Sequence, residues 1–571
     1  MKSDFNFRSK VIAFFFLAGA LVFGAKLFFV QIVHGRTYSD LADRQYVTPS
    51  SEIFERGDIF FNSKDNVLVS AATQTQGYKL AINPEKLKDP EQNFQIIHEI
   101  LPSIMLEDFV ARANKKGDPY EEILGGLTRE EADKISALKI SGIEIHKEKW
   151  RFYPGKSLAA HTLGFVAYKG DELSGRYGLE RQYEQVLARD EDNPYVNFFA
   201  EVFSNINEGL FSEGEKKGNI VTTIEPKVQT FLERTLKEVK EKYNVDQIGG
   251  IIMNPADGSI YAISAKPDFD LNDFKSVDST SVYRNPFVEN VLEFGSVVKP
   301  LVMASALDAG VVTADTKYDD RGSVVVEKKE IWNFDKKGRG PGTSMQDVLN
   351  QSLNTGMVFT YKKLGKDRMK EYLLAFGIKE KTGIDLPNET SGLVSNLNSP
   401  REIEFANASF GQGIALTPIE MVRALSSLGN GGKLVTPHLV DRIKYDNGTE
   451  KKIEYETKPT KITEATSEEI TRMLVTVMDK SPKGGLAKME HHSIAVKTGT
   501  AQVANADGGG YYEDRHTHSF FGYFPAYEPK FIVFLYAVNP KGVPYAAQTW
   551  ADPFIDLSKF LINYYQVPPD R

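Results

Sequence analysis

The first hydrophobic feature of this chain has no periodicity. Residues 11–33, VIAFFFLAGALVFGAKLFFVQIV, are apolar apart from scattered small residues and Gln31, and carry one charge, Lys26. As a helix the run would be roughly 34 Å long at about 1.5 Å per residue, enough to cross a hydrocarbon layer of about 30 Å. Lys2, Arg8 and Lys10 precede it and favour a cytoplasmic N-terminus. Lys26 lies toward the far end, where it can snorkel to the interface. A cleaved signal peptide is the rival reading, but the run is long for one, and Phe23 before Ala25 is a poor small-x-small site. No comparable run follows, so a single uncleaved span is expected to hold the rest of the chain on the outer side of a membrane.

Beyond the run the pattern becomes that of a folded protein. Within a mixed, polar segment (36–215), the stretch EDFVARANKKGDPYEEILGGLTREEADKISALKI (107–140) spaces its apolar residues as short amphipathic helices. WRFYPGKSLAAHTLGFV (150–166) ends in a helical pattern of small residues. NEGLFSEGEKKGN (207–219), charged and weakly periodic, reads as a boundary. Next, IVTTIEPKVQTFLERTLKEVKEKY (220–243) predicts a short strand and a helix. IGGIIMNPADGSIYAISAK (248–266) and SFFGYFPAYEPKFIVFLYAVNP (519–540) predict hairpins, turning at Pro-Ala-Asp-Gly and Tyr-Glu-Pro-Lys. Helical spacing marks 299–310, 345–363, 366–376, 417–429 and 466–479. Strands at both ends with helices between them predict an α/β (α+β) domain over 216–571, whose mainly antiparallel sheet joins the two ends. The expected order is a cytoplasmic tail (1–10), a transmembrane helix (11–33), an elongated α+β pedestal (36–215) and this domain.

Composition narrows the chemistry. Apolar content of 41% and charged content of 26% are those of a globular protein, and the net charge of -8 gives no reason to expect a nucleic-acid partner. With no cysteine, disulfides, thiolate catalysis and Cys-ligated zinc are excluded. His491-His492 and His516-x-His518 lack a carboxylate cluster and read as polar surface, so no metal is expected. FGQGIAL (410–416) lacks the Gly spacing and the Lys-Ser/Thr of a phosphate loop and reads as a backbone turn. No cofactor is expected, and the aromatic-rich last hairpin reads as core.

Three short stretches carry the candidate chemistry. EFGSVVKPLVMASALDAG (293–310) reads as a loop running into a helix, with Lys299 three residues after Ser296 and therefore on the same face. A buried lysine beside a serine can lose its proton and act as a base, and the helix N-terminus favours negative charge at the serine. Ser-x-x-Lys alone is weak: Ser136–Lys139 repeats it on what reads as an exposed helix face. Ser296 is distinguished by its company. NQSLNTG (350–356) supplies a Ser-x-Asn, Ser352-Leu353-Asn354. Lys-Thr-Gly follows, and the order matches the trio of serine penicillin-recognising enzymes.

Lys-Thr-Gly occurs twice. The trio needs its last member on a strand, where a backbone amide can complete an oxyanion hole. SIAVKTGTAQV (493–503) alternates, is β-branched and precedes a hairpin, so it reads as that strand. The copy at 381–383 follows a helix and precedes Ile-Asp-Leu-Pro, so it reads as loop. Lys497, Thr498, Gly499 and Thr500 are the expected site.

From about residue 40 onward the sequence resembles a class B penicillin-binding protein, a peptidoglycan D,D-transpeptidase. The resemblance is carried by the trio and by ERGDIF (55–60), RFYPGKSLAAHTLGFV (151–166), GRYGLERQYE (175–184), TGIDLPNE (382–389) and ASFGQGIALTPIEM (408–421). The ending YAAQTWADPFIDLSKFLINYYQVPPD (545–570) is similar to the septal, FtsI-type branch more than to the elongation branch. Phe294 departs from the family, which commonly has Pro before Gly-Ser, and Leu353 fills a position expected to vary. The resemblance implies that Ser296 attacks the penultimate D-Ala carbonyl of a D-Ala-D-Ala stem peptide while Lys299 takes the proton. It implies that the N–H groups of Ser296 and Thr500 hold the oxyanion, each worth roughly 3 kcal/mol of barrier. Ser352, helped by Lys497, would relay a proton to the leaving D-Ala; Asn354 would orient substrate and Lys299; Lys497, Thr498 and Thr500 would bind the terminal carboxylate. It also implies β-lactams as covalent inhibitors, no metal, and a location in the plasma membrane with the catalytic domain outside. Because nothing in 36–215 looks like a glycosyltransferase site, a separate SEDS-type polymerase and other division proteins are implied as partners. Two other classes share the trio or the setting: a β-lactam-hydrolysing or sensing protein, for which Glu389 would be the candidate second base, and a non-catalytic envelope scaffold.

Overall fold

The computed structural model describes residues 55–115, 117–169, 172–189, 217–480, 489–505 and 509–571. The expected membrane span at 11–33 lies outside the described residues, and among these no helix is long and apolar enough to cross a membrane. Most of the expected boundary at 207–219 also lies outside them. The chain divides into two compact units, one containing residues 75–150, the other 56–74 and 151–571.

The smaller unit closes a core of Leu80, Ile82, Phe94, Ile97, Phe109, Leu127 and Ile135. Its helices are Pro90–Ile100, Leu106–Ala113 and Arg129–Ala137, the last started by a reciprocal cap between Thr128 and Glu131. Two of the helices expected in 107–140 form. Between them Glu121–Leu127 is instead a strand, antiparallel to Tyr78–Ile82. Its Gly125-Gly126 pair weakens a helix, and pairing with Tyr78–Ile82 settles the competition.

In the larger unit the chain enters α1 (Pro226–Tyr243), whose first turn is capped by the Glu225 carboxylate at 2.7 Å from Val228 N and whose Val228, Leu232, Leu236 and Val239 face inward. The elements that build the site follow: β1 (Gln247–Met253), β2 (Ile260–Lys266), α2 (Lys299–Asp308), α3 (Met345–Asn350), α4 (Asn354–Leu364), β3 (Ala495–Ala504), β4 (Tyr511–Phe524), β5 (Phe531–Val538) and α5 (Ala546–Tyr565). The five strands form one sheet in the order β3-β4-β5-β1-β2, every neighbour antiparallel. Both expected hairpins are present, and the sheet joins the two ends of the segment. Both its faces are covered. On β5, Phe534 and Tyr536 turn toward Phe294 and Phe287, while Leu535 lies beside Gly250, where Leu232 of α1 packs. α2 is buried all round, from Lys299 to Ala306, as the central helix of the unit.

The single helix expected over 345–363 is two helices, α3 and α4, interrupted at Ser352, whose φ is +55°. The small-residue stretch near 160 forms only a short helix, Ala160–Leu163. The segments ERGDIF, RFYPG and GRYGLERQYE converge on one buried ion cluster. Glu180, fully buried, accepts from Arg56 Nε and Arg151 Nε, both at 2.6 Å, and from Tyr153 OH at 3.2 Å. Arg56 also forks onto Glu184 at 2.7 and 2.9 Å. Burial would raise the Glu180 pKa, but Arg151 and Arg56 outweigh it and hold the carboxyl below its ordinary value.

Candidate active site

Ser296 sits in a tight 3₁₀ turn, Gly295–Val298, that runs directly into α2. Gly295 (φ +62°) turns the chain in, and Pro300 is tolerated because first-turn amides have no partner inside the helix. Phe294 is buried, edge-to-face on Phe534 at 5.1 Å, and its carbonyl accepts from Ser519 Oγ at 2.8 Å. Ser296 is partly exposed, and no described residue hydrogen-bonds its hydroxyl. Lys299, the first residue of α2, is completely buried.

The second segment is the break between α3 and α4. Ser344 and Asp347 cap α3 reciprocally. Ser352 then adopts a left-handed conformation, which costs a non-glycine residue on the order of 1 kcal/mol or more. That conformation aims both Ser352 oxygens at one amine. Lys299 Nζ donates to Ser352 O at 2.6 Å and to Asn354 Oδ1 at 2.8 Å, and lies 3.2 Å from Ser352 Oγ. Leu353 is buried and anchors the start of α4.

The third segment is β3, the edge strand. Lys497 pairs with Phe521, Gly499 with Ser519 and Thr500 with His518. Lys497, 2% exposed, sends its amine to the same Ser352 Oγ at 3.0 Å and to the Thr498 carbonyl at 2.9 Å. Gly499 faces the serine turn, and the Ser519 hydroxyl bridges its carbonyl (3.3 Å) and that of Phe294. Thr498 and Thr500 remain partly exposed, and Thr500 Oγ1 accepts from Ala546 N at 3.1 Å, at the start of α5.

Two amines therefore converge on one hydroxyl, and no carboxylate is among their hydrogen-bond partners. Burial, and then the neighbouring Lys497, pull the Lys299 pKa well below its ordinary value. Burial lowers Lys497 to about 7. Both effects favour the free-amine form of Lys299. With two hydrogens given to Ser352 O and Asn354 Oδ1, its lone pair can take a proton from a hydroxyl.

Of the residues singled out in the sequence, Lys299, Ser352, Asn354 and Lys497 meet directly. Thr498 joins that group through its carbonyl, which accepts from Lys497 Nζ, while Ser296, Gly499 and Thr500 line the same turn and strand without a hydrogen bond to it. The other Lys-Thr-Gly lies in a loop: Thr382 N and Oγ1 donate to Glu389 Oε1, both at 2.6 Å, and Gly383 N to Glu389 Oε2 at 3.1 Å. Glu389 is thereby spent on holding that loop. Ser136 and Lys139 are exposed in the smaller unit. His518, read as polar surface, is instead fully buried: its Nδ1 meets Thr549 Oγ1 at 2.8 Å, and burial first, then His516, pulls it down to about 4. Its strand position inside an apolar hairpin was the overlooked signal.

Sequence reasoning also missed three supports. Ser519 ties β4 to the serine turn. Gly411, within the stretch read as a turn, backs onto Gly295: a Cβ at 411 would stand 2.1 Å from the Gly295 carbonyl oxygen, and Gly295 N donates to Gly411 O at 3.3 Å. The Trp332 carbonyl accepts Asn354 Nδ2 at 2.9 Å.

Comparison with known proteins identifies the family. Residues 248–556 match the penicillin binding protein transpeptidase domain, and 53–219 the penicillin-binding protein dimerisation domain. The chain is 31% identical over 559 residues to stage V sporulation protein D of Bacillus subtilis, covering 96% of this chain and 84% of that protein. It is 24% identical to peptidoglycan D,D-transpeptidase FtsI of Buchnera aphidicola, covering 98% and 95% of the two. Among solved structures it resembles penicillin binding protein 2X of Streptococcus thermophilus (TM-score 0.71, 20% identity, 90% and 81% covered). It also resembles penicillin binding protein 3 of Mycobacterium tuberculosis complexed with aztreonam (TM-score 0.67, 20% identity, 91% and 98% covered).

Proposed function

The chain belongs to the class B penicillin-binding proteins, and from that premise we propose that it is a peptidoglycan D,D-transpeptidase working through an acyl-enzyme on Ser296. The observation that carries this reading is the buried Lys299 amine, held by Ser352 and Asn354 one helical turn after Ser296 and short of a counter-ion.

The neutral Lys299 takes the Ser296 proton as Oγ attacks the penultimate D-Ala carbonyl carbon. The C–O bond forms, and the carbonyl oxygen becomes an oxyanion facing the N–H groups of Ser296 and Thr500. Collapse breaks the C–N bond, and the departing D-Ala nitrogen receives a proton by way of Ser352, which touches both lysines. Lys497, with Thr498 and Thr500, holds the terminal carboxylate. The amine of a second stem peptide then attacks the ester, loses its proton to Lys299 and restores the serine. β-Lactams enter the same path at the acylation step.

A septal role is favoured by the C-terminal stretch 545–570 and by relatives that include a protein named FtsI; an elongation role is the alternative. The apolar run at 11–33 and its basic flank support a single-pass anchor with the catalytic unit outside the cytoplasm. A SEDS-type polymerase and other division proteins are the partners this arrangement calls for; deletion of 36–215 with complex formation intact would overturn a docking role for that segment.

Covalent labelling by a fluorescent penicillin tests the reading. Label on the wild type and on Ser136→Ala, absent from Ser296→Ala and persisting for many minutes, is the expected result. Rapid loss of label would instead favour a hydrolase, and an unlabelled wild type a scaffold.

A further inference from the structure

Asn354 and Thr355 are held from behind by a part of the chain that has no role in the chemistry above. Two short ribbons, Lys317–Asp320 with Gly340–Ser344 and Ser323–Val326 with Lys329–Trp332, lie between α2 and α3 in sequence. At their centre is Asp320, a carboxylate only 1% exposed. It accepts from Gly322 N at 3.0 Å, from Asn333 Nδ2 at 3.0 Å, from Arg339 N at 3.1 Å and from Thr355 Oγ1 at 2.8 Å. All four donors are neutral. The nearby arginines pair elsewhere, Arg321 with Asp319 and Arg339 with Asp335.

Burying an unpaired carboxylate is costly, and a neutral network would serve stability as well. What the carboxylate achieves is position. Asn333, also 1% exposed, gives its amide hydrogens to Asp320 and to the Lys337 carbonyl at 3.2 Å, which leaves its Oδ1 facing α4, where it accepts from Thr355 N at 3.2 Å. Tyr318 OH closes the set on Thr355 Oγ1 at 3.0 Å. Thr355 follows Asn354 directly, and Trp332, next to Asn333, accepts the Asn354 amide. Asp320 thus fixes Thr355 directly, and through Asn333 it holds the strand end whose Trp332 carbonyl takes the Asn354 amide.

We propose that Asp320 is a positioning residue for acyl transfer: through Asn333 and Thr355 it sets the first turn of α4, and with it the Asn354 oxygen that orients Lys299. The inference rests on the transpeptidase reading and deepens it.

The test is the acylation rate of the full chain with a fluorescent penicillin, alongside thermal unfolding. Asp320→Asn puts amide hydrogens against existing donors, and the loosened first turn is expected to slow acylation by about ten- to a hundredfold. Because the effect runs through Asn354, Asp320→Asn should add little in an Asn354→Ala background. The exchange Asp320→Asn with Asn333→Asp, which restores donor against acceptor between the two side chains, should recover part of the rate. If Asp320→Asn does not fold, Thr355→Val, which removes one donor and leaves the other three, carries the same cycle. A variant that melts earlier but acylates at the wild-type rate, or one whose loss is undiminished in the Asn354→Ala background, overturns the proposal. A wild type that takes no label overturns the transpeptidase reading, and this inference with it.

Discussion

Replacing Gly499 by alanine asks whether β3 must touch the serine turn. A Cβ there would lie 2.3 Å from the Phe294 carbonyl oxygen, 2.4 Å from Ser519 Oγ and 3.1 Å from Val297 Cγ1. Carbon approaches a carbonyl oxygen to about 3.3 Å in ordinary contacts, so strand and turn would have to part by roughly 1 Å. Phe294 has little room to yield, since its ring is buried against Phe534 and its carbonyl is held by Ser519. Misplacing reacting groups by that distance costs about a hundredfold in rate, or about 2.7 kcal/mol of barrier. Overpacking adds a loss of stability of about 1–3 kcal/mol. The assay is the second-order acylation rate with a fluorescent penicillin, measured at a temperature where unfolding curves show the variant folded. The matched control is Gly383→Ala in the other Lys-Thr-Gly copy. Gly383 has φ +80°, and a Cβ there would meet only Thr436 Cγ2 at 3.7 Å. That change should cost about 1–2 kcal/mol of backbone strain and leave acylation alone. Acylation of Gly499→Ala at the wild-type rate, or equal slowing by Gly383→Ala, would refute the assignment of the two copies.

Lys497 titrates near 7 in the free protein, so its charge, needed for the substrate carboxylate, is lost as pH rises through that value; acylation should decline on the alkaline side, and Lys497→Arg should remove that decline even at a lower absolute rate. A pH profile unchanged by Lys497→Arg would contradict the role given to Lys497. Glu180→Gln leaves two buried guanidiniums short of their partner and should destabilise the larger unit by about 3–5 kcal/mol in urea unfolding. Because the folded Glu180 pKa is below the unfolded one, its contribution is present above the unfolded value and lost as pH falls through the folded value, so acid sensitivity in that window should diminish in Glu180→Gln. Glu389→Gln should loosen the loop at 381–383 yet leave the lifetime of the penicilloyl-enzyme unchanged; a longer lifetime would assign Glu389 to deacylation and favour a hydrolase.

The elements that the sequence predicted well are those whose neighbours are close along the chain. The hairpins at 248–266 and 519–540 show their alternation and their turns in a single glance, and α1 announces itself by Glu225-Pro226 before an amphipathic run. The break between α3 and α4 was invisible because NQSLNTG contains no proline and its helical spacing continues through Ser352. Only the bonds that Lys299 and Lys497 make to Ser352, across 53 and 145 residues, reward a left-handed serine there. Glu121–Leu127 failed for the same reason in reverse, since a strand partner 39 to 49 residues upstream overrides local spacing. The trio itself was readable as residue types in order. Its supports were not: Ser519 reaches Phe294 across 225 residues, and Gly411 meets Gly295 only after both loops have folded. Asp320 and Asn333 drew no reading from the sequence, and it is their burial and bonds that mark them.

The convergence of two lysines on Ser352 also explains how one site supplies both a base and a cation. Lys299 and Lys497 lie 3.2 and 3.0 Å from the same oxygen. Two ammonium groups within about 6 Å of each other repel by about 3 kcal/mol at an effective dielectric near 20. With burial already working against each charge, the site holds one proton more readily than two. Base and carboxylate-binding cation are then alternative places for a single proton, joined through the Ser352 hydroxyl. A substrate carboxylate arriving at Lys497 stabilises the charge there and so keeps Lys299 neutral at the moment a base is required. Once Lys299 has taken the Ser296 proton, repulsion from Lys497 drives that proton on toward the departing amine. The strained φ of Ser352 fits this account: the residue is held where one hydroxyl can accept from one lysine while donating to the other, a geometry that an unbroken helix over 345–363 would not allow.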